Sequence, residues 1–234
     1  MLENYIIRGL KMLKNIFKDT NKVMNKRNLN WLVNFLMIII GIRSTILNYT
    51  GEFTVMYVTS ILVLWAGTLG TIMTAYKHRF AGAPNLVQNF FNIYVSGTNG
   101  IIGDAVMASF YAFFEGRSLW TWGKNTDENN KVKTTDKVNW ISVVFQVFIA
   151  TVGLGILSYI LGGQKIILDS INNGTAVVAQ VMSKERRQNA SWFLWGITNV
   201  IGIAIFLEIN PIQAAMYTAF LLNTVRGYIN WTTE

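Results

Sequence analysis

From residue 31 onward the chain is a series of apolar runs, each close to the thickness of a bilayer core in length and nearly free of charge. A helix needs about 20 predominantly apolar residues to cross membrane hydrocarbon. No water is available there to satisfy backbone N–H and C=O groups, so spanning segments are confined to helices and closed barrels. The runs lie at roughly 31–48, 54–76, 84–100, 102–122, 139–162, 166–183, 191–208 and 211–231. Only 14% of residues are charged, whereas a soluble domain of this size carries roughly a quarter. The pattern predicts an all-α membrane protein of about eight transmembrane helices. Polar residues interrupt several runs, so a plain hydropathy window would pass over some of them.

A net charge of +8 can signal a nucleic-acid partner, so the position of the charge decides its meaning. Nearly all Lys and Arg residues sit before the first apolar run or in loops between runs, and no RNA- or DNA-binding pattern accompanies them. The positive-inside rule explains this distribution better than nucleic acid does. With the Lys-rich N-terminus in the cytoplasm, eight spans place three basic clusters inside: Lys77 with Arg79, Lys124 with Lys131, Lys133 and Lys137, and Lys184 with Arg186 and Arg187. The alternate loops hold almost no positive charge, Lys165 being the exception. Both termini are therefore expected in the cytoplasm.

Residues 2–18 place Ile6, Leu10, Leu13 and Phe17 on one helical face and Lys11, Lys14 and Lys18 on another. That spacing suits an amphipathic helix on an anionic leaflet; a solvated basic tail is the alternative. The stretch does not read as a cleaved signal peptide, being long, polar and basic before the first apolar run. The chain has no cysteine, and its single histidine, His78, lies in a basic loop. Disulfides, thiol chemistry and Cys- or His-based metal sites are thereby excluded, and no cofactor is expected.

The polar loop 123–138 divides the chain, and a weak repeat flanks it at a shift of about 107 residues. Lys77-His78-Arg79 falls on Lys184-Glu185-Arg186, Asn92 on Asn199, and Tyr111 on Tyr217 with a one-residue slip. Arg117 to Trp122 repeats the spacing of Arg226 to Trp231. The expected organisation is a cytoplasmic basic segment 1–28, an extra N-terminal transmembrane helix 29–50, a three-helix repeat 51–122, the loop 123–138, a linker helix 139–165 and a second three-helix repeat 166–234. A single linking helix makes the two triplets parallel rather than inverted.

Polar residues facing lipid are costly, so those within spans should face the bundle interior. Asn85, Gln88, Asn89, Asn92, Ser96 and Asn99 share one helical face. Asp104, Tyr111 and Glu115 recur at intervals of seven and four, and Asp169, Asn173 and Gln180 form a similar stripe. Trp192, Trp195, Asn199 and Gly202 make another, and Gln213 and Tyr217 lead towards Asn223 and Arg226. One amide stripe alone can be interhelical hydrogen-bond glue. Several stripes with interleaved aromatics and acids exceed what packing needs, and they predict a central polar cavity. Its expected binding residues are Trp195, Asn199, Trp192, Asn92, Gln88, Tyr217, Tyr111, Asn173, Gln180 and Asn223, with Asp169, Asp104 and Glu115 as charge partners. Aromatic faces accept flat rings and cations, amides suit sugar hydroxyls, and a carboxylate balances positive charge. A flat, cationic ring bearing hydroxyls fits all three features.

The run SWFLWGITNVIGIAIF, with Trp192-x-x-Trp195-x-x-x-Asn199, and the run LLNTVRGYINW, with Asn223-x-x-Arg226, resemble the PnuC family of vitamin transporters. Asn85 and Asn92, the Gly103-Asp104-Ala105 turn and Asp169-Ser170 add to the likeness, which covers most of 54–231. The resemblance implies a parallel three-plus-one-plus-three bundle like that of the SWEET sugar transporters, assembled as a homotrimer in the bacterial cytoplasmic membrane. It implies facilitated diffusion of nicotinamide riboside, trapped by cytoplasmic phosphorylation, with Trp195, Asn199, Asn92 and Tyr217 at the substrate. Glu115 departs from the family pattern, which usually has Asn there, and 31–48 is an additional helix. Sister families carry thiamine or riboflavin.

Two rival functions remain in view. A membrane subunit of an energy-coupled vitamin importer would share the aromatic and amide cavity but not a parallel repeat. An intramembrane enzyme would have to rely on carboxylates alone. The chain has no GxxxxGK[ST] loop, so transport would not draw on an ATPase of its own.

Overall fold

The computed structural model describes residues 26–232. Among them the regular elements are eight helices: α1 (Lys26–Leu47), α2 (Val55–Ala75), α3 (Gly82–Thr98), α4 (Ile102–Gly123), α5 (Trp140–Ile160), α6 (Ile166–Lys184), α7 (Ser191–Phe206) and α8 (Pro211–Thr232). Each apolar run of the sequence holds one of them. The amphipathic segment expected at 2–18 lies outside the described residues.

Local chemistry sets several of the boundaries. Thr54 and Asn139 accept hydrogen bonds from the backbone of Tyr57 and Ser142, capping α2 and α5. Asn210 accepts from the amides of Ile212 and Gln213 at 3.1 and 3.2 Å, and Pro211 follows it, a combination that starts α8. Gly100, with φ of +72°, turns the chain between α3 and α4.

Three helices, α1, α2 and α5, are long and apolar enough to cross a bilayer on composition alone. Of the other five, α7 is apolar but only 16 residues long, and the polar stripes make α3, α4, α6 and α8 less apolar. Their large apolar side chains, such as Phe90, Phe113 and Val200, face outward.

Six helices close into a ring: α2 packs on α3, α3 on α4, α4 on α6, α6 on α7, α7 on α8, and α8 back on α2. The remaining two sit outside the ring. α5 leans on α6, with Val143 against Val178, Ala179 and Met182. α1 leans on α8, with Leu29, Val33 and Met37 against Ala219 and Ile229.

The basic loops meet at one end of this ring. Val132 donates to the Lys77 carbonyl, Thr135 to the Arg187 carbonyl, and Asn189 back to that of Thr135, each at 3.0 Å. The loop 124–139 is thus laced by backbone bonds across the two other basic loops. Trp122, Trp192 and Trp231 pack beneath it with Ala75, Ala81 and Val132. At the opposite end, Gln164 donates to the Gly100 carbonyl at 2.9 Å, and Asn210 to Ser60 at 3.1 Å.

Candidate functional site

All six ring helices line a single central cavity, and neither α1 nor α5 contributes to its wall. From α3 come Asn85, Gln88, Asn89 and Asn92, the face expected from their spacing. α4 supplies Asp104, Tyr111 and Glu115; α7 supplies Trp192, Trp195 and Asn199; α8 supplies Tyr217 and Asn223; and α6 supplies Gln180.

The end of the cavity away from the basic loops is organised by Asp104, at the first turn of α4. Its carboxylate accepts from Asn92 Nδ2 at 3.0 Å, from the Ser96 hydroxyl, and from the Tyr217 hydroxyl at 3.3 Å. Gln213 donates to the Asn92 oxygen, extending the network to α8. Every one of these partners is neutral. Tyr217 is held by stacking on Phe206 at 5.7 Å, and its ring lies where a side chain at Gly202 would have to go.

The middle of the cavity is aromatic. Tyr111 and Trp195 meet edge to face, with ring centroids 6.2 Å apart. Asn199 donates to the Thr224 hydroxyl at 3.0 Å, and that hydroxyl donates to the Phe220 carbonyl at 2.9 Å. The Tyr111 hydroxyl, Thr198 hydroxyl and Trp192 indole nitrogen line the same wall, buried and without a protein hydrogen-bond partner. Leaving a buried polar group unpaired costs about 1–3 kcal/mol, so three in one wall point to a polar guest or water as their partner.

The basic-loop end holds an ion pair. Lys184 Nζ lies 2.9 Å from Glu115 Oε2, with both side chains almost fully buried. Gln180 donates to Glu115 Oε1 at 3.0 Å, and Lys184 also donates to the Thr74 hydroxyl at 3.3 Å. The ammonium sits 4.4 Å from the centroid of the Trp122 ring, a cation–π contact.

Two expected site residues lie elsewhere. Asn173 donates to Asp169 Oδ1 at 2.7 Å, and Asp169 Oδ2 accepts from the Gly103 amide at 2.9 Å. Ser158 of α5 adds a longer contact to the same oxygen, at 3.4 Å. This group joins α4, α5 and α6 behind the cavity wall; it is Asn172, one residue earlier, that lines the cavity. The helix is buried around most of its circumference, so spacing alone does not say which face looks inward.

Other lining residues were not among those expected: Thr71, Thr74, Thr224, Met216, Phe220 and Lys184. The threonines and apolar residues give no distinct signal in the sequence. Lys184 reads as a loop charge, although it ends α6 four residues after Gln180, on the same helical face. Among the described residues, no cluster of three metal-ligating side chains occurs.

The comparisons with known proteins agree with this architecture. A solved chain described as the crystal structure of the vitamin B3 transporter PnuC superposes with a TM-score of 0.72, covering 84% of this chain and 88% of that one at 22% identity. The nicotinamide riboside transporter PnuC of Neisseria mucosa is 23% identical over 99% of this chain and 95% of its own length. The protein of the same name from Haemophilus influenzae is 29% identical over 122 residues, and that match spans only 53% of its length. The family model described as "Nicotinamide mononucleotide transporter" matches residues 57–233, well over half of the chain. The chain therefore belongs to the nicotinamide mononucleotide transporter family, a family of membrane transporters rather than enzymes.

Proposed function

We propose that this protein carries nicotinamide riboside across a membrane by facilitated diffusion, with phosphorylation on the cytoplasmic side trapping the cargo. The observation that carries the reading is the composition of the ring-enclosed cavity. Trp195 and Tyr111 offer aromatic surface to a flat cationic ring, Asn89, Asn199 and Gln88 offer amides to a ribose, and Asp104 supplies negative charge. The two homologues named nicotinamide riboside transporters favour that cargo over thiamine and riboflavin.

The ring reads as a parallel three-plus-one-plus-three bundle, α2–α4 and α6–α8 being the triplets and α5 the linker. Two features support this. Lys77 and Arg187, in the turns after α2 and α6, both have positive φ, 58° and 53°. The triplets also meet through equivalent pairs, α4 with α6 and α8 with α2. Pairing Lys77 with Arg187 displaces the repeat by three residues from the sequence match of Lys77 with Lys184. The basic end, which also holds the start of α1 and the end of α8, is the cytoplasmic face on the positive-inside rule. The family resemblance carries with it a homotrimer, which mass determination in detergent tests.

The deciding experiment measures binding of nicotinamide riboside, thiamine and riboflavin to the purified protein in parallel, followed by uptake into liposomes without ATP. Preferential binding of nicotinamide riboside, and uptake that stops when the two sides equalise, are expected. Preference for another vitamin replaces the cargo, and concentrative uptake driven by a proton or sodium gradient replaces the uniport mechanism.

A further inference from the structure

Nicotinamide riboside carries a formal positive charge on the ring nitrogen that bears the ribose, and the cavity wall contains charges of both signs. Asp104 lies at one end, surrounded by neutral donors. Glu115 and Lys184 lie at the other, 2.9 Å apart and almost fully buried. A cationic cargo released towards the basic loops must pass the Lys184 ammonium. In a buried site that charge is poorly screened, and at that end the adjacent Glu115 carboxylate offsets its repulsion of the cargo.

Lys184 is fixed rather than free to retreat. It spans to Thr74 on α2, rests on the Trp122 ring, and its own backbone carbonyl accepts from the Trp122 indole at 3.0 Å. Glu115 is oriented by Gln180, which holds one carboxylate oxygen while the other faces the ammonium. The pair thus presents zero net charge to the cavity.

We propose that the Glu115–Lys184 pair determines the charge selectivity of this end of the path: Glu115 masks Lys184, so that a cationic nucleoside can pass. The proposal rests on the transport reading above and adds two specificity-determining residues to it.

The test compares two substrates of nearly identical shape in the same vesicles: nicotinamide riboside, a cation, and its 1,4-dihydropyridine form, which is neutral. Uptake of each is measured for the wild type, Glu115→Gln, and the double variant Glu115→Gln/Lys184→Met. Glu115→Gln leaves Lys184 unmasked and should lower the cation-to-neutral uptake ratio at least tenfold. The double variant removes both charges and should restore the ratio to within about threefold of wild type, a difference well under 1.4 kcal/mol. Damage to folding lowers both uptakes together and leaves the ratio unmoved. An unchanged ratio in Glu115→Gln, or a double variant as biased as Glu115→Gln, overturns the proposal while wild-type uptake still supports transport. A wild type that moves neither nucleoside overturns the transport reading, and the charge role with it.

Discussion

Trp122 lies at the end of α4 and Trp231 at the end of α8, and each ties its helix to the next one around the ring. The Trp122 indole donates to the carbonyl of Lys184 on α6, and the Trp231 indole to the carbonyl of Thr74 on α2, both at 3.0 Å. The two rings touch edge to face, with centroids 6.1 Å apart, and both are fully buried. Each bond reaches a carbonyl in the last turn of a helix, where intrahelical donors run out; the Thr74 carbonyl also accepts from the Lys77 amide at 3.0 Å.

Replacing either indole by phenylalanine should cost about 1 kcal/mol from the lost hydrogen bond; Trp231→Phe leaves the Thr74 carbonyl its bond from the Lys77 amide, whereas Trp122→Phe removes the indole donor from the Lys184 carbonyl. Both Trp122→Phe and Trp231→Phe are expected to lower the melting temperature in detergent, Trp122→Phe by more, because the Thr74 carbonyl keeps the Lys77 amide as a donor. Because the rings are in contact, the double variant should depart from additivity. A larger effect from Trp231→Phe than from Trp122→Phe would contradict that order.

At the cavity, Trp195→Ala should weaken binding of nicotinamide riboside about tenfold to a hundredfold, corresponding to roughly 1–3 kcal/mol of ring stacking. Asn199→Leu should also weaken it, with little loss of thermal stability, since Thr224 keeps its bond to the Phe220 carbonyl. Affinity and melting temperature measured on the same samples separate a ligand role from a packing role. Normal affinity in both well-folded variants would remove the clamp.

The outer helix α1 should matter for stability through Arg226. This guanidinium is fully buried in α8 and donates to Asn34 of α1 and to Asn223. It also lies over the Tyr76 ring at 5.1 Å. Asn34→Leu strands part of a buried charge and should destabilise the protein by about 1.5–3 kcal/mol. Adding Arg226→Met should recover part of that loss, because an apolar pair costs less than an unpaired buried ion. Chemical unfolding of the two variants checks the order. A double variant less stable than Asn34→Leu would show that Arg226 has enough partners without α1.

Topology gives a fourth expectation. Reporters fused at the C-terminus and in the loop 124–139 should both be active in the cytoplasm, because both belong to the basic end. A reporter in the loop between α5 and α6 should be active only outside. A C-terminal reporter active outside would break the even number of crossings.

Some of this was legible in the residues themselves. The eight helical runs follow from the backbone's need for internal hydrogen bonds in hydrocarbon. The inward face of α3 follows from the cost of exposing Asn85, Gln88, Asn89 and Asn92 to lipid, since that helix has one polar side and one apolar side. The Trp192, Trp195 and Asn199 stripe is legible for the same reason. Other features depended on how the helices pack. On α6, polar residues occur on more than one face, and only its contacts with α4 and α5 decide that Asn172 looks inward while Asn173 and Asp169 serve a junction. Lys184 reads as a loop charge until Glu115, distant along the chain, is brought to 2.9 Å from it. Arg226 likewise acquires Asn34 only when α1 docks on α8. Helical period and the cost of polar groups in lipid are local rules, so they determine which segments become helices and which stripes avoid lipid. Pairing between residues far apart in sequence is a property of the assembled ring, and tertiary packing alone decided it.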